Sequence, residues 1–171
     1  MSVSSNQPAW LRGPMGGVPA LLQPVAHALV DADEDVQKFV PPLSPDAIAA
    51  RPGGAASIAY HVTHAMGSLD RLFTYARGEA LNETQMRALA AEKTLDVGSL
   101  SARQLAEEFS AAVHRAHAQL RSTSEAELLE MRLVGRAKLP STTLGLLVHA
   151  AEHTARHVGQ IVTTAKIVSA T

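Results

Sequence analysis

Residues 149–160 read HAAEHTARHVGQ, which sets His149, His153 and His157 four apart in a stretch free of proline and followed by the apolar run IVTTAKIV. On a helix, four residues advance about 400°, so successive rings lie only about 40° apart around the axis and roughly 6 Å apart along it. A second group, His61 and His64, stands at i, i+3 in YHVTHAMGSLDRLFTYARG. Ser68, Arg71 and Tyr75 follow His64 at four, seven and eleven residues, on nearly the same face. Imidazoles in such patterns are metal donors: two at i, i+4 can aim ring nitrogens at one point about 2.0 to 2.1 Å away, and a third from a facing helix makes a three-histidine face. That face leaves a fourth position open to water or substrate, as in catalytic rather than structural sites. The plainer reading is a solvated polar stripe. Two such stripes in one small protein weigh against it, since burying either without partners would cost several kcal/mol.

Other residues have competing readings. Arg71 and Tyr75 are candidate pocket residues for orienting an anionic substrate, or else an internal ion pair and a phenol at the core edge. Gln160 is a candidate hydrogen-bond partner for a ligand histidine or water. His114 and His117 are also i, i+3, but Arg115 and Gln119 flank them, so a solvated face is expected. His27 lies off its helix's apolar stripe and is expected at the surface. Ser68 belongs to no legible Ser-His-acid arrangement, which argues against a serine hydrolase. Glu152 points about 100° away from His153, and no acidic residue is evident beside the histidines as a general base.

The elements that must carry these residues are helices. Apolar positions repeat with helical period over about residues 18–40 (Leu22, Val25, Leu29, Ala32, Val36, Phe39), where Pro41 and Pro42 stop the run. Ser44 and Pro45 open a short helix closed by Pro52, Gly53 and Gly54. A second long helix is predicted over residues 55–77, ended by Gly78. Asn82 and Gln85 have capping-box spacing and open another short helix; Ser101 and Gln104 repeat that spacing before a third long helix over residues 102–121. Its stripe is Leu105, Phe109, Ala112, Val113, Ala116 and Leu120. A fourth long helix begins after Pro140, capped by Ser141, and runs to about residue 168. Only MRLVGRA suggests a strand, within a connection. The expected fold is all-α, a four-helix bundle with short extra helices in the connections. The links at 78–100 and 122–140 exceed hairpin length, so the topology need not be simply up and down.

The chain of 171 residues suits a single domain, residues 1–171, with an extended N-terminal segment at 1–17. A net charge of -1 excludes a strong field toward nucleic acid or anionic lipid. The absence of cysteine excludes disulfides, thiolate ligands and a cysteine nucleophile, so a metal here must use His, Asp or Glu. No stretch approaches the roughly 18 apolar residues of a membrane span, and the N-terminus does not read as a secretory signal. The expectation is a cytoplasmic protein with no nucleic-acid or membrane partner.

With WLRGP near the N-terminus, HVTHAMGSLDRLFTYARGEAL on the second long helix and LVHAAEHTARHVGQIVTTAK on the last, the chain resembles the DinB/YfiT-like superfamily of metalloenzyme-type bundles over nearly its whole length. The ending H-x3-H-x-G-Q, here His153, His157, Gly159 and Gln160, is the most specific part. The resemblance implies a divalent metal, Zn, Ni, Fe or Mn, bound by His64, His153 and His157, with His61 and His149 as neighbours or alternative ligands. It also implies an enzyme that activates an external low-molecular-weight thiol for S-transfer or isomerisation, or a water for hydrolysis, on an unknown small-molecule substrate. A homodimer is implied too. The rival expectations are a noncatalytic dimeric bundle that binds a small ligand or serves a stress response, and a bundle whose metal site is structural or vestigial.

Overall fold

Side-chain caps mark where most helices of this chain begin. The computed structural model describes residues 7–94 and 101–170. In chain order it contains α1 (Gln23–Phe39), α2 (Pro45–Ala49), α3 (Ile58–Ala76), α4 (Glu83–Ala91), α5 (Ala102–Ser122), the strands β1 (Met131–Val134) and β2 (Leu139–Thr142), and α6 (Thr143–Val168). Ser44, Ser57, Asn82, Ser101 and Thr142 each accept a hydrogen bond from a backbone N–H in the first turn of α2, α3, α4, α5 and α6, satisfying donors the helix itself leaves open. The Asn82–Gln85 capping box is complete. Gly78 ends the α3 region with φ +78°, a left-handed conformation that favours glycine.

Three boundaries differ from expectation. The first long helix starts at Gln23 after a 3₁₀ turn at Ala20–Leu22, and α3 starts at Ile58 because Ser57 caps it. The last long helix is capped by Thr142 and not Ser141, because its first turn begins one residue later, at Thr143, and the Thr142 side chain accepts from the Gly145 N–H. That two-stranded antiparallel hairpin is the departure from a purely helical chain. It is tied to the C-terminal end of α3, where Arg132 Nε donates to the Ala76 carbonyl at 2.8 Å. Of the N-terminal segment, residues 1–6 lie outside the described residues, and Ala9–Leu11 form a 3₁₀ turn. Residues 95–100 of the link before α5 also lie outside them.

The protein is mostly helical. Helix α3 packs against α6 and α5, and α1 packs against the same two helices. One contiguous core joins Leu29 and Val36 of α1, Ile58, Val62 and Leu69 of α3, Phe109 and Leu120 of α5, and Leu147 and Ile161 of α6. Each such side chain contributes on the order of 1.5–3 kcal/mol by leaving water. Phe39, expected on the stripe, is half-buried at its margin, with the ammonium groups of Lys38 and Lys166 5.1 and 5.5 Å from its ring centroid. Helix α4 runs back along α3: Gln85 Nε2 donates to Asp70 Oδ2 at 2.7 Å and Thr74 Oγ1 at 2.8 Å, while Glu92, just past α4, reaches His64 nearer the start of α3. Among the described residues, no helix is long and apolar enough to cross a membrane.

Candidate metal centre

On α3 the core stripe passes through Ile58, Ala59, Val62, Ala65 and Leu69. His61 falls inside that stripe, between Ile58 and Ala65, and is 4% exposed. His64 sits at its margin, half-buried. On α6 the stripe runs through Leu147, Ala150, Ala151, Thr154, Val158 and Ile161, and His153 and His157 flank it on the side turned to α3.

The packing of α3 on α6 closes the group. His64 Nε2 lies 3.1 Å from His153 Nε2, and His61 Nδ1 lies 2.9 Å from His157 Nδ1. The rings of His64 and His157 are 4.7 Å apart between centroids, those of His153 and His157 4.5 Å. His64, His153 and His157 each offer a nitrogen within 4.8 Å of the others and together could hold a metal ion. Two imidazole nitrogens on one tetrahedral ion lie roughly 3.4 Å apart, close to the observed His64–His153 separation. Mutually facing nitrogen acceptors suit a shared cation, so the donor set fits a divalent metal.

The protonation state favours the same use. Burial pushes the His153 imidazolium pKa down, with His64, His149, Arg156 and Arg71 adding to the effect. Burial, then the neighbouring histidines and Arg156, lowers that of His157 from 6.5 to about 4. His61 is lowered by burial and then by His64. Neutral rings at pH 7 present lone pairs with no proton to displace.

A carboxylate invisible to helical spacing completes the surroundings. Glu92 is 8% exposed; its Oε2 accepts from His64 Nδ1 at 2.7 Å and its Oε1 accepts from Arg71 Nη1 at 2.6 Å. An acidic residue therefore does stand beside the histidines, held by His64 and Arg71. Arg71 forms an internal ion pair and is not an exposed anion hook. Gly67 makes the pair sterically feasible: a Cβ there would lie 2.5 Å from Glu92 Oε1 and 2.7 Å from Arg71 Nη1. Tyr60, also not anticipated, stacks on His64 with 5.5 Å between centroids and 7° between planes.

The remaining candidates fall elsewhere. His149 is exposed and faces Glu152, its Nδ1 3.6 Å from Oε2. Eight residues on a helix accumulate about 80° of drift, which carries His149 off the side occupied by His157. Gln160 is exposed. Tyr75 is half-buried and lines a separate cleft with Leu81, Met86 and Leu133. Two further expectations fail. His117 is 6% exposed and its Nε2 lies 3.1 Å from the Ala26 carbonyl oxygen, because it sits between Val113 and Leu120 on the α5 stripe. His27 is half-buried, its Nε2 3.1 Å from the Gly13 carbonyl oxygen.

Comparison with known proteins agrees with this architecture. The model of the DinB superfamily matches residues 28–161. No curated protein matches the chain. A crystal structure described as a conserved protein from Enterococcus faecalis superposes with a TM-score of 0.66 at 18% identity, covering 88% of this chain and 98% of its own, and at that identity it speaks for the fold alone. The family match spans α3, α6 as far as residue 161 and all three clustered histidines, and the chain belongs to the DinB superfamily.

Proposed function

We propose that the four long helices act as a four-helix bundle that binds one divalent metal ion through His64, His153 and His157, and that the bound ion serves transfer of a small external thiol or hydrolysis by water. The observation that carries this reading is the convergence of three half-buried imidazoles from α3 and α6, with their ring nitrogens within 4.8 Å of one another. Three protein donors leave room for an exchangeable group, the arrangement of catalytic sites. When bound, a divalent ion lowers the pKa of a thiol or water and so supplies a nucleophile near neutral pH. The thiol comes from outside, since the chain has no cysteine. Zn, Ni, Fe and Mn all suit imidazole donors, and availability chooses among them.

The chain's own residues then orient and hold protons. Glu92 accepts the His64 Nδ1 proton, Arg71 holds Glu92, and Tyr60 covers one face of the His64 ring. Between His61 and His157 one Nδ1–H donates to the other Nδ1.

One observation favours a second reading, a noncatalytic protein with a structural metal: Arg71, the cation nearest the histidines along α3, is committed to an ion pair with Glu92 at 2.6 Å. Two measurements separate the readings. Zinc- or nickel-loaded protein is assayed for thiol transfer and ester hydrolysis, and melting is followed with and without chelator. Turnover that disappears with His153→Ala supports the enzyme. Absence of turnover with every metal, together with a large fall in melting temperature on chelation, supports the structural site.

A further inference from the structure

We propose that Glu92 is a positioning residue of the histidine site: clamped by Arg71 and admitted by Gly67, its carboxylate fixes the His64 proton on Nδ1 and leaves Nε2 free for the metal. The inference rests on the metal-binding reading above but makes a claim that can be tested without metal.

The geometry supplies each link. A neutral imidazole has one N–H and one bare nitrogen, and the partner of the first decides which nitrogen is bare. His64 Nδ1 faces Glu92 Oε2 at 2.7 Å, and a carboxylate only accepts, so the proton is held there. The bare Nε2 is the atom that faces His153 Nε2 at 3.1 Å, inside the donor cluster. Glu92 is itself fixed, because Arg71 Nη1 donates to its other oxygen at 2.6 Å. Both side chains press against the backbone at Gly67, where a Cβ would come within 2.5 Å of Glu92 Oε1 and 2.7 Å of Arg71 Nη1. Glycine inside a long helix lowers its stability relative to alanine. Its presence here is explained by the volume that the carboxylate and guanidinium occupy. The carboxylate comes from the turn after α4, so it also fastens the link that follows α3 to the histidine that the metal would take.

The substitution Glu92→Gln is the discriminating change. A carboxylate accepts from both sides, whereas an amide has one acceptor oxygen and two N–H donors. With its oxygen taken by Arg71, the glutamine would turn N–H groups toward His64 Nδ1, making that nitrogen the acceptor and moving the proton to Nε2. Gly67→Ala is the second variant. It leaves every polar group in the chain unchanged, keeps a good helix former in α3, and pushes away the flexible end of Glu92, so it tests position separately from chemistry.

The experiment records the ring-nitrogen NMR spectrum of the metal-free protein and titrates Zn(II) against a competing chelator, for wild type, Glu92→Gln and Gly67→Ala, with circular dichroism to confirm folding. The expected results are an Nδ1–H tautomer at His64 in wild type, an Nε2–H tautomer in Glu92→Gln, and zinc affinity lowered roughly 10- to 100-fold in both variants. A His64 that is Nε2–H in the wild type, or folded variants that keep wild-type zinc affinity, would overturn the assignment of Glu92 while leaving the metal site standing. If wild type binds no zinc, the metal reading fails instead, and the tautomer comparison still decides whether Glu92 sets the His64 proton. Should Glu92→Gln fail to fold, Gly67→Ala decides the affinity comparison.

Discussion

Two pairs of histidines at i, i+3 spacing, His61 with His64 on α3 and His114 with His117 on α5, end in different chemistry. On α5 the pair splits: His114 is exposed, while His117 enters the core and meets a single backbone carbonyl, that of Ala26. A buried polar ring needs one partner, and one carbonyl suffices. On α3 the facing helix offers imidazoles instead, so His61 meets His157 and His64 meets His153. Histidine spacing on one helix therefore says little until the opposing surface is known. An opposing carbonyl makes the ring structural. Opposing nitrogens make it a donor in a cluster.

This contrast can be broken experimentally, and the largest effect is expected at His64. His64→Ala should lower zinc affinity by more than the roughly 10- to 100-fold typical of losing an outer partner, because a donor itself is removed. Isothermal titration measures it; an unchanged affinity would mean that the α3 cluster is no more a site than the α5 pair. His117→Ala should do the reverse, leaving zinc affinity unchanged and lowering stability by about 2 kcal/mol through a cavity and a lost buried hydrogen bond. Urea denaturation with and without zinc reads both numbers.

Acid should act on both regions. His61, His117, His153 and His157 all have lowered imidazolium pKa values, with burial the leading cause. The unfolded chain then binds more protons than the folded one over the window from about 6.5 down to the lowered values, which for His157 is about 4. Their stabilisation is fully present above pH 6.5 and is lost as pH falls through that window. In chelator-treated protein the melting temperature should decline from pH 6.5 to 4, and His117→Ala should reduce the steepness without abolishing it. A flat profile would contradict the burial of these rings. The smallest effect is expected from His149→Ala: its ring is exposed beside Glu152, and both zinc affinity and stability should stay within roughly 0.5 kcal/mol of wild type. A large loss of zinc would return His149 to the ligand set.

Much of this was legible in the sequence, for local reasons. The caps at Ser44, Asn82 and Ser101 and the stop at Gly78 depend on neighbours within a few residues, and the apolar stripes depend on helical period alone. His153 and His157 shared a face for the same reason. What escaped depended on partners distant in the chain. Glu92 lies 28 residues beyond His64 and reaches it only because α4 folds back along α3. Gly67 was the available clue, a glycine inside a helical run on the side of His64 and Arg71, which pointed to something packed against the backbone. His117 was misread because Arg115 and Gln119 flank it, although Val113 and Leu120 place it on the core stripe. Thr142 and not Ser141 caps α6 because the strand β2 runs on through Thr142 and the helix starts only at Thr143, a boundary set by pairing with β1.

The central claim is that the α3–α6 cluster binds metal. Its most direct test is metal content by mass spectrometry of protein purified without a histidine tag, for wild type and for the His153→Ala, His157→Ala double variant. The account predicts near-stoichiometric metal in wild type and its loss in the folded variant. Wild-type protein that stays metal-free after incubation with zinc, nickel, iron and manganese would contradict it and reduce the cluster to a polar seam between two helices.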